Sequence, residues 1–418
     1  MRDNPVEPTI ATLAGAALAL VHAGQAPTRS ALTARLGVTR ATIGAVTSEL
    51  RDLGLIQVAA AAGGGQQGRP SHRVLPDPDG PVALAAELYT DGFAVALVGL
   101  GATIIARSSR DLPVSADPEQ ALAPVSEAAA ALLRQSGRSC VGAAIALQAA
   151  VTEPAGATVG ALYFGWPDGA AMRDIFAAQL AQHGVTGPNG EPLHRWIRPG
   201  ARAASACRAV NDVNAVAVAE HRHGAGRDAA HLLVVAATRR GVGSALVLRG
   251  ALYTGSTGLA MEAGHVSIDP RGRPCPCGSR GCLNVETDAG RFLDAAGRVP
   301  DPGAEPLAAA IALLTAGYAT DPRVQEAAGT LVDRLGLGLA SLVNVVNPDR
   351  VLLGGLHKHL LLAVPERLRD AVVARSPWGR GAAVPIIGCA LDDAALIGAA
   401  ELAWQPVLDN PAILRPAA

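Results

Sequence analysis

Lysine is almost missing from this chain. Lys358 is the single one, so arginine carries nearly all of the positive charge. Aromatic residues are 3% of the 418 positions, too few for the stacking platforms that hold single-stranded nucleic acid. Six cysteines exclude a disulfide-dense scaffold. Only 17% of residues are charged and 50% are hydrophobic, which excludes a chain that is disordered throughout. The apolar run Ile10 to Val21 falls short of the roughly 20 residues that span a bilayer. Met1-Arg2-Asp3-Asn4-Pro5 does not join a basic segment to an apolar one, as a signal peptide would. The expectation is a cytoplasmic protein with reduced thiols and no membrane association. The net charge of −1 offers no overall positive excess for binding phosphates.

That average conceals a split. Residues 26–75 hold six arginines (29, 35, 40, 51, 69 and 73) against Glu49 and Asp52, a net of +4. The same stretch has a distinctive pattern. Ser30–Leu36 reads as a short helix, with Leu32 and Leu36 on one face. Gly37 makes a turn, and Thr39 is a good N-cap. Ile43, Val46, Leu50 and Leu53 follow at helical spacing before Gly54, and Leu55–Val58 reads as a strand. Helix, glycine turn, helix, strand and loop is the layout of a winged helix-turn-helix. Thr39, Arg40 and Thr42, at the start of the second helix, would face base edges and phosphates. Arg69, in Gly68-Arg69-Pro70, would reach into a narrow minor groove. Residues 59–81, dense in Ala, Gly and Pro, read as a loop and linker, which places a DNA-binding domain at 1–78 and a larger domain at 79–410.

The larger part alternates apolar strand-like runs (82–88, 93–100, 141–147, 231–237, 244–248, 350–353) with Ala/Leu-rich helical stretches (121–135, 170–183, 215–223, 328–346, 359–375). This predicts an α/β architecture of two halves, each a sheet with helices. Three cysteines crowd into Cys275-Pro276-Cys277-Gly278-Ser279-Arg280-Gly281-Cys282, with His265 ten residues before the first. Three thiolates and an imidazole are a complete tetrahedral zinc set, hence a structural site with no position open for water. Cys140, Cys207 and Cys389 are isolated in or near apolar runs and read as core residues. Trp166 fits either a cleft wall or packing.

Glu262-Ala263-Gly264-His265 followed by Cys-x-Cys-Gly-x-x-Gly-Cys resembles the ROK family (repressor, open reading frame, kinase). That family joins sugar kinases and sugar-responsive transcription factors on a two-lobed actin/hexokinase-like fold, and its regulator branch carries an N-terminal DNA-binding segment with a Gly-Arg-Pro loop. The resemblance runs from about residue 28 to 400. It implies that Asn211-Asp212-Val213-Asn214 corresponds to the family's Asn-Asp-x-Asn motif. Asp212 would then be the general base of a kinase, or its vestige, and Asn211 a sugar ligand. Glu262 and His265 would also hold sugar, with His265 binding zinc through its other nitrogen. Asn347-Pro348 to Gly354-Gly355 resembles the late strand beside the nucleotide cleft.

Departures from the family are equally informative. The Asp-x-Gly-Gly-Thr hairpin of the kinases becomes Glu87-Leu88-Tyr89-Thr90-Asp91, without either glycine. The second phosphate loop becomes Thr238-Arg239-Arg240-Gly241-Val242-Gly243-Ser244. The sugar-binding Glu two places after the last zinc cysteine becomes Asn284, which leaves Glu286 to serve. The resemblance therefore implies a sugar-responsive regulator of carbohydrate metabolism, without ATP-dependent catalysis, bound as a homodimer or homotetramer to a double-stranded operator. An active sugar kinase with an appended DNA-binding head is the alternative.

Overall fold

The structure is a computed structural model. It describes residues 11–60, 71–187, 190–193, 206–299, 305–377 and 384–415. Arg69 and the surrounding Gly-Arg-Pro loop lie outside the described residues.

The N-terminal head is built from α1 (Leu13–His22), α2 (Arg29–Leu36), α3 (Arg40–Asp52), β1 (Ile56–Ala59) and β2 (Arg73–Pro76). Each helix begins on a threonine cap. Thr12, Thr28 and Thr39 accept the amides of Gly15, Ala31 and Thr42. Gly37 ends α2 in the left-handed conformation (φ 65°), which a glycine adopts without strain. Leu32, Ile43, Val46 and Leu50 are buried, so the apolar stripe packs as its spacing predicts. The hairpin corrects one expectation. Residues 73–76, read as linker, form a strand paired antiparallel with β1, with Val74 opposite Val58 and only 1% exposed. Burying this short apolar segment outweighs the surrounding prolines and glycines.

Lobe one contains β3 (Val82–Tyr89), β4 (Gly92–Gly99), β5 (Thr103–Asp111), α4 (Pro118–Ser136), β6 (Cys140–Leu147), the small β7–β8 hairpin (Ala150–Val151, Thr158–Val159), α5 (Met172–Gln182) and β9 (Cys207–Asn211). Its sheet runs β5-β4-β3-β6-β9. The first three strands are an antiparallel meander, and β6 and β9 continue it in parallel. α6 (Asp212–His223) then leads to lobe two: β10 (His231–Ala237), β11 (Val242–Leu248), β12 (Ala251–Leu252), α7 (Leu283–Thr287), α8 (Ala289–Ala295), α9 (Pro306–Gly317), α10 (Pro322–Val346), β13 (Arg350–Gly355), α11 (Leu356–Ala363), α12 (Pro365–Val373), β14 (Ile386–Gly388) and α13 (Ala394–Asp409). The order β12-β11-β10-β13-β14 repeats the topology of lobe one strand for strand.

One predicted helix, 359–375, is two. Val364 is non-helical (φ −137°, ψ 59°) ahead of Pro365, whose ring disfavours a helical residue before it. α10 is apolar and long enough, by composition, to cross a membrane, but its apolar face is part of the lobe-two core with Leu233, Val351 and Leu368. Trp166 stacks on Phe164 and donates its indole N–H to the Ser115 carbonyl, so it packs inside lobe one. Cys140, Cys207 and Cys389 are buried as expected. Desolvation pushes the Cys140 thiol up to about 11, which keeps it unreactive.

Although α13 follows lobe two in sequence, it lies on the lobe-one sheet and against α6, and α1 of the head packs on its end. Ala17, Leu18 and Val21 share one core with Ala399, Trp404 and Val407. Gly15 lies against the Leu408 and Asp409 backbone, leaving no room for a side chain. The Trp404 indole donates to the Val98 carbonyl. At the centre is Glu401, with no exposed surface, accepting from His22 Nε2 (2.7 Å), His223 Nε2 (2.9 Å) and Arg222 Nη1 (2.7 Å). The Gly101 amide donates to His22 Nδ1, so the proton of neutral His22 is on Nε2, aimed at the carboxylate. These donors hold the Glu401 carboxyl well below the usual carboxylate range, overcoming the opposing effect of burial.

Glu401→Ala removes the acceptor shared by His22, His223 and Arg222, which leaves the buried His22 Nε2 without a partner and Arg222 with Gln405 alone. It is expected to destabilise the protein by about 1–3 kcal/mol and to expose α1 to proteolysis first. Urea denaturation and limited proteolysis measure both, and a loss below about 1 kcal/mol would contradict the role given to this carboxylate.

Candidate functional site

The two lobes face each other across a cavity of about 320 Å³ whose walls include Gln148, Tyr163, Asn211, Asp212, Thr238, Arg240, Glu262, His265 and Asn284. Most of the residues expected at a sugar site are thus brought together, although they come from opposite sides. Asn211 and Asp212 lie where β9 turns into α6. Glu262 caps, and His265 ends, a short 3-10 turn after β12.

Asn211 is the N-cap of α6. Its Oδ1 accepts the amides of Val213 (3.0 Å) and Asn214 (3.1 Å), and its Nδ2 donates to the Ala149 carbonyl (3.2 Å). Its acceptor is therefore occupied by the helix, and only its amide group has capacity left toward the cavity. Asp212 is the first helical residue, 6% exposed, with the Val213 amide on Oδ1. Burial, followed by the nearby Glu87 carboxylate, pushes its pKa up to about 7. Glu87, partly buried on β3, is also raised to about 7 by desolvation, against the opposing pull of Arg239.

Glu286 requires a correction. It was expected to face sugar, but its Oε1 accepts the Arg273 amide, its Oε2 pairs with Arg334, and it is 1% exposed away from the cavity. Asn284 faces the cavity instead. Its Oδ1 accepts the Val242 amide (2.5 Å) and its Nδ2 reaches the Tyr163 hydroxyl (3.1 Å). Both residues sit on the single turn of α7, where two positions amount to about 200° of rotation, so they point to opposite sides. Gln148 and Tyr163 were not foreseen from sequence, and Thr238 and Arg240 were read there only as part of the altered phosphate loop. They lie in loops whose place depends on tertiary structure.

The cysteine cluster folds as a knuckle. Pro274 bridges to Arg280, and the Gly278 and Gly281 backbones have positive φ (91° and 58°). The ligand atoms of His265, Cys275, Cys277 and Cys282 all lie within 4.8 Å of one another. His265 Nδ1 is 3.6 Å from Cys275 Sγ, and the Cys277 and Cys282 sulfurs are 3.7 Å apart. A zinc tetrahedron with Zn–S near 2.3 Å and Zn–N near 2.0 Å has edges of about 3.5–3.8 Å, so the donor set fits the ion. Because Nδ1 faces the thiolates, Nε2 of His265 is left for the cavity.

A family model described as ROK family matches residues 91–405. The chain belongs to the ROK family. Glucokinase of Thermotoga maritima is 30% identical over 46% of this chain and 64% of that enzyme. The DNA-binding transcriptional dual regulator NagC of Escherichia coli is 23% identical over 57% of this chain and 63% of its own. The chain thus spans less than two thirds of the length of these curated relatives. The crystal structure of a ROK family transcriptional regulator, a homologue of the E. coli MLC protein, superposes with a TM-score of 0.71 at 21% identity, covering 95% of this chain and 96% of that one. A ROK family glucokinase from Streptomyces griseus, in complex with glucose and AMPPNP, gives a TM-score of 0.60 at 21% identity over 78% and 99%. These likenesses establish the two-lobed fold, and the coverage of the regulator extends to the N-terminal head.

Two outcomes follow from this geometry. The folded chain keeps a proton on Asp212 at pH values where the unfolded chain has lost it. Asp212's contribution to stability is therefore full in acid and falls as pH rises from about 4 through about 7. Chemical denaturation should show Asp212→Asn gaining on the wild type steadily between about pH 5 and pH 8, and a pH-independent difference would contradict the burial argument. Elemental analysis should find stoichiometric zinc, lost in Cys275→Ser and Cys282→Ser with a lowered melting temperature. A metal-free wild type with an unchanged melting profile would contradict the assignment.

Proposed function

We propose that this protein is a sugar-responsive DNA-binding transcriptional regulator whose kinase-like domain binds a sugar or sugar derivative without phosphorylating it. One observation carries the reading. The helix that opens at the sugar-facing cavity, α6, ends on the buried carboxylate that holds the head. Asp212 is its first residue, and Arg222 and His223, in its last turn, meet Glu401, which also binds His22 of α1.

In this account the head is a winged helix-turn-helix. Arg40 is exposed at the start of α3 and supplies the direct contact to bases or phosphates. Thr39 and Thr42 share a hydroxyl–hydroxyl bond of 2.8 Å beside the cap, so they shape that end of the helix and present their outer faces. Arg69, by its Gly-Arg-Pro sequence, would contact the minor groove. Asp212, Glu262, Asn284 and His265 Nε2 converge on the sugar hydroxyls. His265, Cys275, Cys277 and Cys282 would hold a zinc ion, whose chemistry there would be that of a structural tether. So held, His265 would keep its orientation and the cavity wall would be joined to α7. Sugar binding would favour one arrangement of the lobes and hence, through α6, one placement of the head. An effector shifts such an equilibrium only by its difference in affinity for the two states. Two copies related by a two-fold axis would place two heads on a palindromic operator.

Asp212 also favours a second reading. A carboxyl with a pKa near 7 beside a sugar cavity is suited to a general base, as in an active kinase with an appended head. One pair of experiments ranks the two. Genomic footprinting should recover discrete sites, and Arg40→Ala should weaken binding to them about tenfold or more. ATP-dependent phosphorylation across a sugar panel should be absent. Turnover that Asp212→Asn abolishes, together with no sequence-specific DNA binding, would reverse the ranking.

A further inference from the structure

We propose that Asp91, Tyr89 and Arg239 form a clasp across the rim of the cavity that sets the separation of the two lobes when no ligand is bound. Two tight hairpin turns meet there, one from each lobe. In lobe one, Tyr89 pairs with Gly92 and Asp91 lies in the turn between them. In lobe two, Ala237 pairs with Val242 and residues 238–241 make the turn. Arg239 Nη1 donates to both carboxylate oxygens of Asp91, at 3.2 and 3.4 Å. Its guanidinium carbon stands 4.0 Å from the centre of the Tyr89 ring. A cation held by a carboxylate and by the face of a ring is fixed in direction as well as in distance. A second, weaker tie runs alongside it, from Gln148 Nε2 to Thr238 Oγ1 at 3.4 Å.

The lobe-two turn is itself closed by hydrogen bonds. The Thr238 amide donates to the Gly241 carbonyl, and the Val242 amide donates to Asn284 Oδ1. These amides are therefore committed within the protein and not presented to an anion. Thr238 and Arg240, on either side of Arg239, both line the cavity. Fixing Arg239 to the opposite lobe thus fixes the positions of two wall residues. The Asp91 and Arg239 side chains are 44% and 34% exposed, so the clasp is modest in strength and sensitive to salt. Those are the properties of a contact that opens and recloses. The clasp invokes neither DNA binding nor sugar binding, so it stands or falls apart from the proposed function.

The test is hydrogen–deuterium exchange on the full chain. Asp91→Asn and Arg239→Gln should each speed exchange in peptides covering residues 88–93 and 237–243 by about fivefold, the scale of an exposed ion pair backed by a ring contact. The Asp91→Arg/Arg239→Asp double variant, which restores opposite charges with their positions exchanged, should recover most of the protection. High salt should mimic the single variants in the wild type. Millimolar MgATP should leave wild-type exchange at both turns unchanged. The proposal is overturned if the single variants exchange like the wild type, if the double variant is as fast as the singles, or if MgATP protects the turns through Arg239.

Discussion

A carboxylate removed from water must be met by donors, and in this protein the donors for Glu401 come from other parts of the chain. His22 belongs to the head. Arg222 and His223 belong to α6, and Glu401 itself to α13. The Gly101 amide fixes the tautomer of His22 from lobe one. Removing Glu401 would strip three donors of a shared acceptor at a site closed to water, a larger cost than losing an exposed ion pair. The head is therefore not a bead on a linker. It shares a core and a buried charge with the domain it would report on, so its placement depends on that of α6 and α13.

The rest of the architecture gives that junction its consequence. The two lobes repeat one sheet topology, with α6 connecting them and α13 returning to the first. Glu220, also fully buried, accepts the Ala390 and Leu391 amides through one oxygen and the Ala225 amide through the other, anchoring α6 to the connection between β14 and α13. A displacement at the Asp212 end of α6 has few ways to dissipate before it reaches residues 222 and 223. A buried helix with polar anchors at both ends has the form that energetic coupling between the cavity and the head requires.

Much of this was legible in the residues. Strand runs such as 231–237 were plain because a doubly covered strand is continuously apolar. The gathering of His265, Cys275, Cys277 and Cys282 was plain because thiolates and imidazole at that spacing serve few other purposes. Other parts were not. β2 is four residues long among prolines and glycines, and only its pairing with β1 makes it a strand. Glu286 and Asn284 were confused because a linear motif carries no helical phase, and two residues apart on α7 means opposite faces. Gln148 and Tyr163 reach the cavity from loops, where local pattern says nothing about direction. The Glu401 junction had one visible sign, a single charged residue within the otherwise apolar stretch from Ala394 to Trp404. Its partners, nearly 180 and 380 residues away, could not be read from the chain.

The central claim is that the cavity and the head are coupled through α6 and Glu401. The direct measurement is operator affinity with and without a saturating sugar effector, for the wild type and for His22→Ala. The account predicts that sugar changes wild-type affinity about 5- to 150-fold. It predicts that His22→Ala binds the same sugar with unchanged affinity, yet has lost most of that change. Equal sugar responses in the two proteins, with the head folded in both, would contradict it.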